Sequence, residues 1–370
     1  MSLLAVGHVD SCLYIDLGAI VANWRYIDSL SSSTTTTAAV VKANGYGLGA
    51  KNVAEALANA GCTEFFVANL DEAISLRQHL DERGHKQLHI MTLHGCQRDG
   101  LDDHIAFRIT PVLNDLEQLS RWRMCSQQRS DSLPAMLHID TGMTRLGFDA
   151  DQIDWLIENK SALDGLDCRY LMSHLVSAEI ADDPTNATQL AAFNEWRRCF
   201  PGMPASLANS AGSMLSPDYH FQMTRPGIAL YGADPADQPT DKLMRVVTWQ
   251  ARIIQLRQAK AGDRVGYGGT HLLDRPSRIA TIGVGYADGY NRKLGGKASV
   301  LIGPQIAPVI GRVSMDSITV DVTDIDPAHL QNGFVELLHD DYDLSRMARD
   351  AETIAYEILT RLGTRPSRRY

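Results

Sequence analysis

One lysine stands where a predicted buried strand gives way to a glycine-rich turn. Lys42 follows a short apolar run, residues 38–41, and precedes residues 43–49, which carry glycine at alternate positions and one aromatic residue, Tyr46. The valines of the run favour an extended chain, the glycines end it, and residues 50–60 have a helical pattern. A lysine held there is desolvated along its stem, which lowers its pKa and suits it to Schiff-base chemistry. A lysine that merely reaches solvent from a strand end is the alternative.

Other reactive side chains lie beside further apolar runs. Arg145 follows the fifth run, His174 closes the sixth, Asn209 and Ser210 follow the seventh, and Arg225 lies just before the eighth. A lysine, two arginines, a histidine and a loop of small residues suit an anionic aromatic cofactor. Read singly, His174 is as well explained as a satisfied core histidine, and Arg145 as one half of a surface ion pair with Asp140.

A second group of residues has the chemistry of an anion site. Tyr46 and Ser210 offer hydroxyl donors, and the backbone N–H groups near Gly227 and Ile228 are accessible because small residues let the backbone approach a ligand. A plain structural turn is the alternative for each of these positions.

Eight apolar runs alternate with helical segments or loops over residues 38–232. They are residues 38–42, 65–68, 88–93, 108–113, 136–139, 169–174, 205–209 and 228–231. Alternation of strand and helix predicts a parallel sheet, and eight units predict an α/β fold of the (β/α)8 TIM-barrel type. In such a barrel the functional groups collect at the carboxyl ends of the strands, where these candidates lie.

The sequence pattern changes after Gly232, from alternating strands and helices to a strand-rich pattern. Residues 234–239 have the composition of a linker, and runs 246–256, 278–284, 299–301 and 317–322 predict a mostly antiparallel β domain. A last helix is predicted over 344–361. The sequence thus divides into a barrel, 11–235, and a C-terminal β domain, 241–370, and the first strand near 11–17 is a candidate to pair with the second domain.

Composition excludes several classes of protein. A net charge of −9 disfavours nucleic-acid binding, and the basic run 365–369 reads as a solvated tail. Six scattered cysteines lack C-x-x-C spacing, so neither a zinc site nor a disulfide framework is expected. No apolar run approaches the length of a membrane span, and residues 1–10 lack a basic segment followed by a long apolar stretch, so no export signal is expected. We expect a cytoplasmic protein that binds no metal and no membrane.

Seven motifs, in order along the chain, resemble those of the alanine racemases. They are residues 39–47, 138–148, 209–212, 225–232, 265–270, 285–292 and 311–316. The resemblance implies a barrel followed by a β domain, pyridoxal 5'-phosphate bound to Lys42, and a head-to-tail homodimer that interconverts L-alanine and D-alanine. It is compatible both with supply of D-alanine for peptidoglycan and with breakdown of alanine.

The same resemblance implies roles for individual residues. Racemisation needs two bases on opposite faces of the α-carbon, and these would be Lys42 and Tyr267, the latter donated by the partner subunit. Arg225 would face the pyridine nitrogen and leave it unprotonated, which weakens the ring as an electron sink. Other matching positions would hold the cofactor, namely Tyr46, His174, Asn209, Ser210, Gly227, Ile228 and Tyr356. Positions matching substrate contacts are Arg145, Met315 and Tyr286. Because a phenol needs cationic neighbours to act near neutrality, His174 or Arg145 is expected beside Tyr267.

Two positions depart from the family's pattern. The family often carries a lysine, frequently carbamylated, where this chain has His138, so either a bound anion such as chloride or a direct histidine contact is expected to orient Arg145. Leu48 stands where histidine is common, with little effect expected. The alternatives are a broader or serine-preferring racemase, a pyridoxal-phosphate decarboxylase, which Arg225 disfavours, and a non-catalytic cofactor-binding protein.

Overall fold

The chain forms two compact units in a computed structural model that describes residues 9–129, 131–236 and 241–370. One unit comprises residues 18–236 and 241–244, and the other comprises residues 9–17 and 245–370. The N-terminal residues 1–8, in which no export signal is expected, lie outside the described parts, as do residues 237–239 of the predicted linker.

The chain enters on β1, Ser11–Ile15, and then builds the barrel unit from parallel strands. These strands are β2 Thr36–Thr37, β3 Ala39–Val40, β4 Glu64–Val67, β5 His89–Thr92, β6 Ile109–Leu113, β7 Leu133–His138, β8 Leu166–Met172, β9 Ala205–Ser206 and β10 Met223–Thr224. Their order is β2-β10-β9-β8-β7-β6-β5-β4-β3. Because only Ala38 separates β2 from β3, these two act as one strand that pairs with β10 on one side and β4 on the other. The sheet therefore closes with eight strand positions.

Helices connect the barrel strands. They are α1 Leu17–Ser29, α2 Lys42–Tyr46, α3 Ala50–Asn59, α4 Leu70–Glu82, α5 Leu101–Ala106, α6 Leu116–Arg129, α7 Ala150–Glu158, α8 Pro184–Arg198 and α9 Ser210–Leu215. Side-chain caps fix where several begin: Asn69 accepts from the Glu72 N–H at α4, Asp149 from Gln152 at α7, and Asn209 from Gly212 at α9. The caps of α4 and α9 lie shortly after the ends of β4 and β9, whereas α7 begins only after the loop of residues 139–149.

The eighth barrel strand differs from the prediction. Residues 228–231 were expected to form it, but Ile228–Tyr231 is a 3-10 helix and the strand is Met223–Thr224. All four residues of the 3-10 segment are buried, and a short buried apolar run has no periodicity that separates strand from helix. Consequently Arg225 lies just after the eighth strand, at its carboxyl end, instead of just before it.

The second unit is built on an eight-stranded sheet. Its remaining strands are β11 Val247–Ala259, β12 Arg264–Val265, β13 His271–Leu272, β14 Ser277–Ile282, β15 Ser299–Ile302, β16 Gln305–Ile310, β17 Ile318–Asp321, β18 Phe334–Leu338 and β19 Ser367–Arg369, with helices α10 Pro327–Leu330, α11 Leu344–Asp350 and α12 Ala355–Thr360. The sheet order is β14-β17-β16-β15-β18-β11-β1-β19, while β12 and β13 form a separate hairpin. Pairing is antiparallel except between β1 and β19. The expected barrel followed by a mostly antiparallel β domain is confirmed.

Two predictions for the C-terminal segment are wrong. The helix expected over 344–361 is two helices, because Glu352 adopts a left-handed backbone (φ 55°) and its carboxylate pairs with Lys293 and Lys297. The basic run 365–369 is not a solvated tail, since β19 pairs with β1 and Arg365 forms a two-point ion pair with Asp288. The charge of Arg365 is therefore paired with a carboxylate of the same unit.

No helix in the described parts of the chain is long and apolar enough to cross a membrane. Within the same ranges, no group of three or more His, Cys, Asp and Glu side chains is arranged to hold a metal ion.

Candidate active site

Lys42 opens a left-handed helical turn at the end of β3. Ala43, Asn44 and Tyr46 have φ values of 52°, 53° and 53°, and Gly45 has 62°. L-residues rarely adopt this conformation in succession, because each Cβ approaches the following carbonyl. Three fixed contacts hold the turn: the Gly45 N–H donates to Val41 O (2.8 Å), the Gly47 N–H to Ala43 O (2.8 Å), and the Ala43 N–H to Glu72 Oε1 (2.7 Å). The backbone of the turn that follows Lys42 is therefore fixed.

The charge environment of Lys42 favours its neutral form. Burial lowers the pKa of the Lys42 amine, the nearby positive charge of Arg145 lowers it further, and the carboxylate of Glu72 acts in the opposite direction. An amine with a lowered pKa is a better nucleophile and base near neutrality.

A group of polar atoms, here called the Ser210 cradle, lies at the carboxyl ends of the last two barrel strands. Ser210 Oγ accepts hydrogen bonds from the backbone N–H groups of Gly227 (2.7 Å) and Ala229 (3.3 Å). A Cβ on Gly227 would overlap the hydroxyl of Tyr46, so glycine is required for this close approach. The Tyr46 ring is in turn stacked on Tyr231, with ring centroids 4.6 Å apart. Two hydroxyls and two backbone N–H groups therefore converge around the Cα of Gly227.

Arg225 spans the ends of three strands from its place after β10. Its Nη1 donates to Ser206 Oγ, and its Nη2 donates to Ser173 O (2.5 Å) and Leu207 O (3.4 Å). Burial lowers the pKa of Arg225 to about 9, which still leaves the guanidinium charged at neutral pH. Of its donors, Nε has no hydrogen-bond partner among the residues that the structure describes, so it is available to a ligand.

The tautomer of His138 follows from its contact with Asn114. The Asn114 Nδ2 donates to Leu93 O (3.1 Å) and Val112 O (2.9 Å), so its Oδ1 faces His138 Nδ1 at 2.8 Å and must accept. Burial lowers the pKa of His138 to about 4, with the charge of Arg225 adding to the effect. The ring is therefore neutral, carries its proton on Nδ1 and presents a lone pair on Nε2.

Arg145 is exposed at the end of a loop that Asp140 folds. The carboxylate of Asp140 accepts from the N–H groups of Gly142 (2.9 Å), Met143 (2.8 Å) and Thr144 (2.8 Å). Arg145 makes no hydrogen bond or ion pair with any residue in the described ranges. The surface ion pair with Asp140 is thus not formed, and neither is the contact with His138.

His174 faces the positive charges of this region. Burial, followed by the charges of Arg225, Arg145 and Lys42, lowers the pKa of His174 well below its usual range. The ring is neutral at neutral pH, so the expectation that His174 supplies a cation beside the phenol of Tyr267 is wrong. Of the two cations considered for that role, only Arg145 remains.

Exposed aromatic side chains mark the second unit. Tyr267, 69% exposed, begins a tight turn between β12 and β13 in which Gly266 and Gly268 both have φ of 71°. Tyr286 and Met315 are 44% and 53% exposed. Their loops are joined, because the Tyr286 N–H donates to Ser314 O (3.1 Å) and the Ala287 N–H to Met315 O (3.0 Å). A Cβ at Gly285 would overlap the Met315 carbonyl, which makes glycine necessary there.

A buried carboxylate fixes the same pair of loops. Asp288 Oδ2 accepts from the Gly285 N–H (2.8 Å) and from Arg365 Nη2 (2.7 Å), while its Oδ1 accepts from Arg365 Nε (2.7 Å). Arg365 Nη1 then donates to Asp316 Oδ1 at 2.6 Å, next to Met315. Tyr356 lies apart from these loops in sequence, on α12.

Comparison with known proteins identifies the family. The family model of the alanine racemase N-terminal domain matches residues 15–235, and that of the C-terminal domain matches residues 246–370. The chain belongs to the alanine racemase family. This confirms the resemblance drawn from the motifs, together with the expected isomerase activity, the interconversion of L-alanine and D-alanine, and pyridoxal phosphate as cofactor.

Relatives cover the racemase chain almost completely. An alanine racemase of Brucella suis is 43% identical, with 99% of this chain and 94% of the relative covered, and a catabolic alanine racemase of Agrobacterium fabrum is 41% identical with 99% and 93% covered. Among solved structures, the Bartonella henselae alanine racemase with covalently bound pyridoxal phosphate has a TM-score of 0.92 at 39% identity, covering 98% of this chain and 100% of its own. The alanine racemase of Streptomyces lavendulae has a TM-score of 0.90 at 28% identity, with 98% and 97% covered.

Sequence reasoning missed the residues that support this racemase site. Glu72 holds the turn after Lys42, Asn114 sets the tautomer of His138, and Arg365 fixes the Met315 loop. Gln189 joins the loops after β7 and β8, since its Nε2 donates to Thr141 Oγ1 (3.2 Å) and to His174 O (3.0 Å). Only Glu72 had a signal, because it follows the capping residue Asn69 by three positions and so falls in the first turn of α4.

Proposed function

We propose that Lys42 and Tyr267 are the two bases with which this racemase exchanges the α-proton of alanine. The observation that carries the proposal is the setting of Lys42: an amine of lowered pKa on a rigid turn, at the strand ends where Arg225 and the Ser210 cradle also lie. Bound pyridoxal phosphate supplies the electron sink that acidifies this proton.

The barrel residues fit the cofactor. A phosphate suits the cradle at Gly227, where a Cβ would overlap Tyr46 Oη and where Ser210 already gathers two backbone N–H groups. We assign Tyr46, Ser210, Gly227 and Ile228 to the phosphate. Asn209, as the cap of α9, positions Ser210.

The charged residues fit the aromatic ring and the substrate. We assign the free Nε–H of Arg225 to the pyridine nitrogen, where a charged donor keeps that nitrogen unprotonated. Neutral His174 is assigned to contact with the ring. Arg145, which is exposed and makes no hydrogen bond with His138, is assigned to the substrate carboxylate.

We propose that the second base comes from the partner in a homodimer. The strongly exposed Tyr267, held by a glycine turn, suits a residue that serves another chain. Tyr286 is assigned to the entrance of the site, Met315 to a backbone contact with the substrate carboxylate, and Tyr356 to support of the phosphate. A cytoplasmic location is also proposed, since the six cysteines are free thiols.

Borohydride reduction followed by peptide mapping tests the cofactor assignment. We expect one labelled peptide, which contains Lys42, and we expect Lys42→Ala to lose both the label and the deuterium exchange at Cα of alanine in heavy water. Attachment at another lysine would refute the assignment. Turnover of serine, lysine and arginine beside alanine measures the breadth of the pocket.

A further inference from the structure

Glu72 bridges the ends of two neighbouring barrel strands, β3 and β4. It lies in the first turn of α4, half-buried, and its two carboxylate oxygens accept from different strand ends. Oε1 accepts from the Ala43 N–H (2.7 Å), directly after Lys42, and Oε2 accepts from the Ala68 N–H (2.8 Å), directly after β4. Its own N–H is capped by Asn69 Oδ1 at 3.0 Å. Both oxygens and the backbone of Glu72 are therefore fixed.

The Ala43 contact falls on strained backbone. Ala43 is the first of the left-handed residues after Lys42, and no Cβ-bearing residue prefers that conformation. A backbone held away from its preferred conformation persists only where the surroundings over-determine it. Glu72 supplies that constraint at the residue next to the lysine.

Glu72 also faces Lys42 electrostatically. Among the residues that the structure describes, the other charged or titratable groups that interact with the lysine amine are Arg145, from the loop after β7, and His174, from the loop after β8. His174 is neutral, so Arg145 and Glu72 act on Lys42 with opposite signs. One carboxylate thus combines a mechanical and an electrostatic contact with the same residue.

We propose that Glu72 is a positioning residue for Lys42, holding the left-handed turn against the end of β4 and offsetting the charge of Arg145. The inference rests on the proposed role of Lys42. Glu72→Gln removes the charge and leaves at most one oxygen acceptor for two N–H groups, while Glu72→Asp keeps the charge and shortens the reach by one methylene. Asp71→Asn, at the exposed neighbouring position, is the matched control.

We expect Glu72→Gln to lower kcat by about 10- to 100-fold, as displacement of a reacting group does, with KM little changed. Loss of the negative charge lowers the pKa of Lys42 further, so the acid limb of the pH profile and the pH dependence of the cofactor's visible absorption move to lower pH. Because Glu72→Asp keeps the charge, the pH midpoints of the activity profile and of the absorption change stay at their wild-type values. Asp71→Asn changes neither kcat nor these midpoints.

A second substitution separates geometry from charge. Glycine accepts the left-handed conformation at no steric cost, so adding Ala43→Gly to Glu72→Gln should recover part of kcat and leave the shifted midpoint unchanged. Far-UV circular dichroism and cofactor stoichiometry of each holoenzyme show that it is folded and loaded. If Glu72→Gln does not fold, Glu72→Asp with and without Ala43→Gly carries the kcat comparison.

Three results would overturn the inference: a wild-type midpoint in folded Glu72→Gln, an equal shift in Asp71→Asn, or an equal shift in Glu72→Asp. Borohydride mapping of the wild type distinguishes the two proposals. A label on Lys42 with an unshifted Glu72→Gln profile defeats the inference alone, whereas a label elsewhere defeats the proposed function.

Discussion

Replacement of His138 by glutamine should make the racemase less sensitive to acid. His138 is 7% exposed, and burial lowers its pKa from 6.5 to about 4. Between these values the unfolded chain binds a proton that the folded chain does not, so the free energy of unfolding falls as the pH drops through this window. At about 1.4 kcal/mol per pKa unit, the histidine costs the folded state about 3 kcal/mol at pH 4 and almost nothing at pH 7.

Urea unfolding of wild type and His138→Gln at several pH values between 7 and 4 measures this difference. Glutamine can still donate to Asn114 Oδ1, so the two proteins should be similar at pH 7, and the wild type should lose about 3 kcal/mol more by pH 4. The other buried histidines titrate in both proteins and cancel. His94→Gln, at an exposed position, is the control and should follow the wild type. Parallel curves for wild type and His138→Gln would show that His138 is not held neutral, and the tautomer argument would fail.

Four further substitutions test the proposed phosphate cradle and Arg225. Ser210→Ala leaves the N–H groups of Gly227 and Ala229 without their acceptor, so the free energy of unfolding of the cofactor-free protein should fall by about 1–3 kcal/mol in urea titration, and cofactor affinity should fall with it. Gly227→Ala places a Cβ on the Tyr46 hydroxyl and should lower the free energy of unfolding by about 1–3 kcal/mol, part of which Tyr46→Phe should restore. Additive effects of the two substitutions in the double variant would contradict the close approach of Gly227 to Tyr46. Arg225→Met removes the donors to Ser173 O and Leu207 O and should reduce both stability and cofactor absorption, whereas an unchanged visible spectrum would argue against its contact with the ring.

The sequence predicted the barrel because its strands are short apolar runs with helical segments between them. It misplaced the eighth strand because Ile228–Tyr231 is as apolar and as buried as a strand, and only the backbone after Gly227 turns it into a 3-10 helix. The break between α11 and α12 was also hidden, since no glycine or proline marks the left-handed Glu352.

The candidate site was predictable to the extent that its residues follow strand ends. Lys42, Arg145, His174 and Ser210 each lie after a barrel strand, which is a property of chain order. The neutral state of His174 was not predictable, because it depends first on burial and then on charges brought from other segments of the chain. Likewise, the partners Asn114 and Glu72 act across about 24 and 29 residues of chain, a pairing that no local pattern contains.

The pairing of Lys42 with a tyrosine from the other subunit is tested most directly by mixing two inactive variants, Lys42→Ala and Tyr267→Phe. In a mixed dimer with shared sites, one site carries both substitutions and the other carries neither. Random reassembly should therefore restore about a quarter of the wild-type activity, since half of the dimers are mixed and each has one intact site. Activity that stays at the level of the separate variants, in samples shown to contain mixed dimers, would contradict the account.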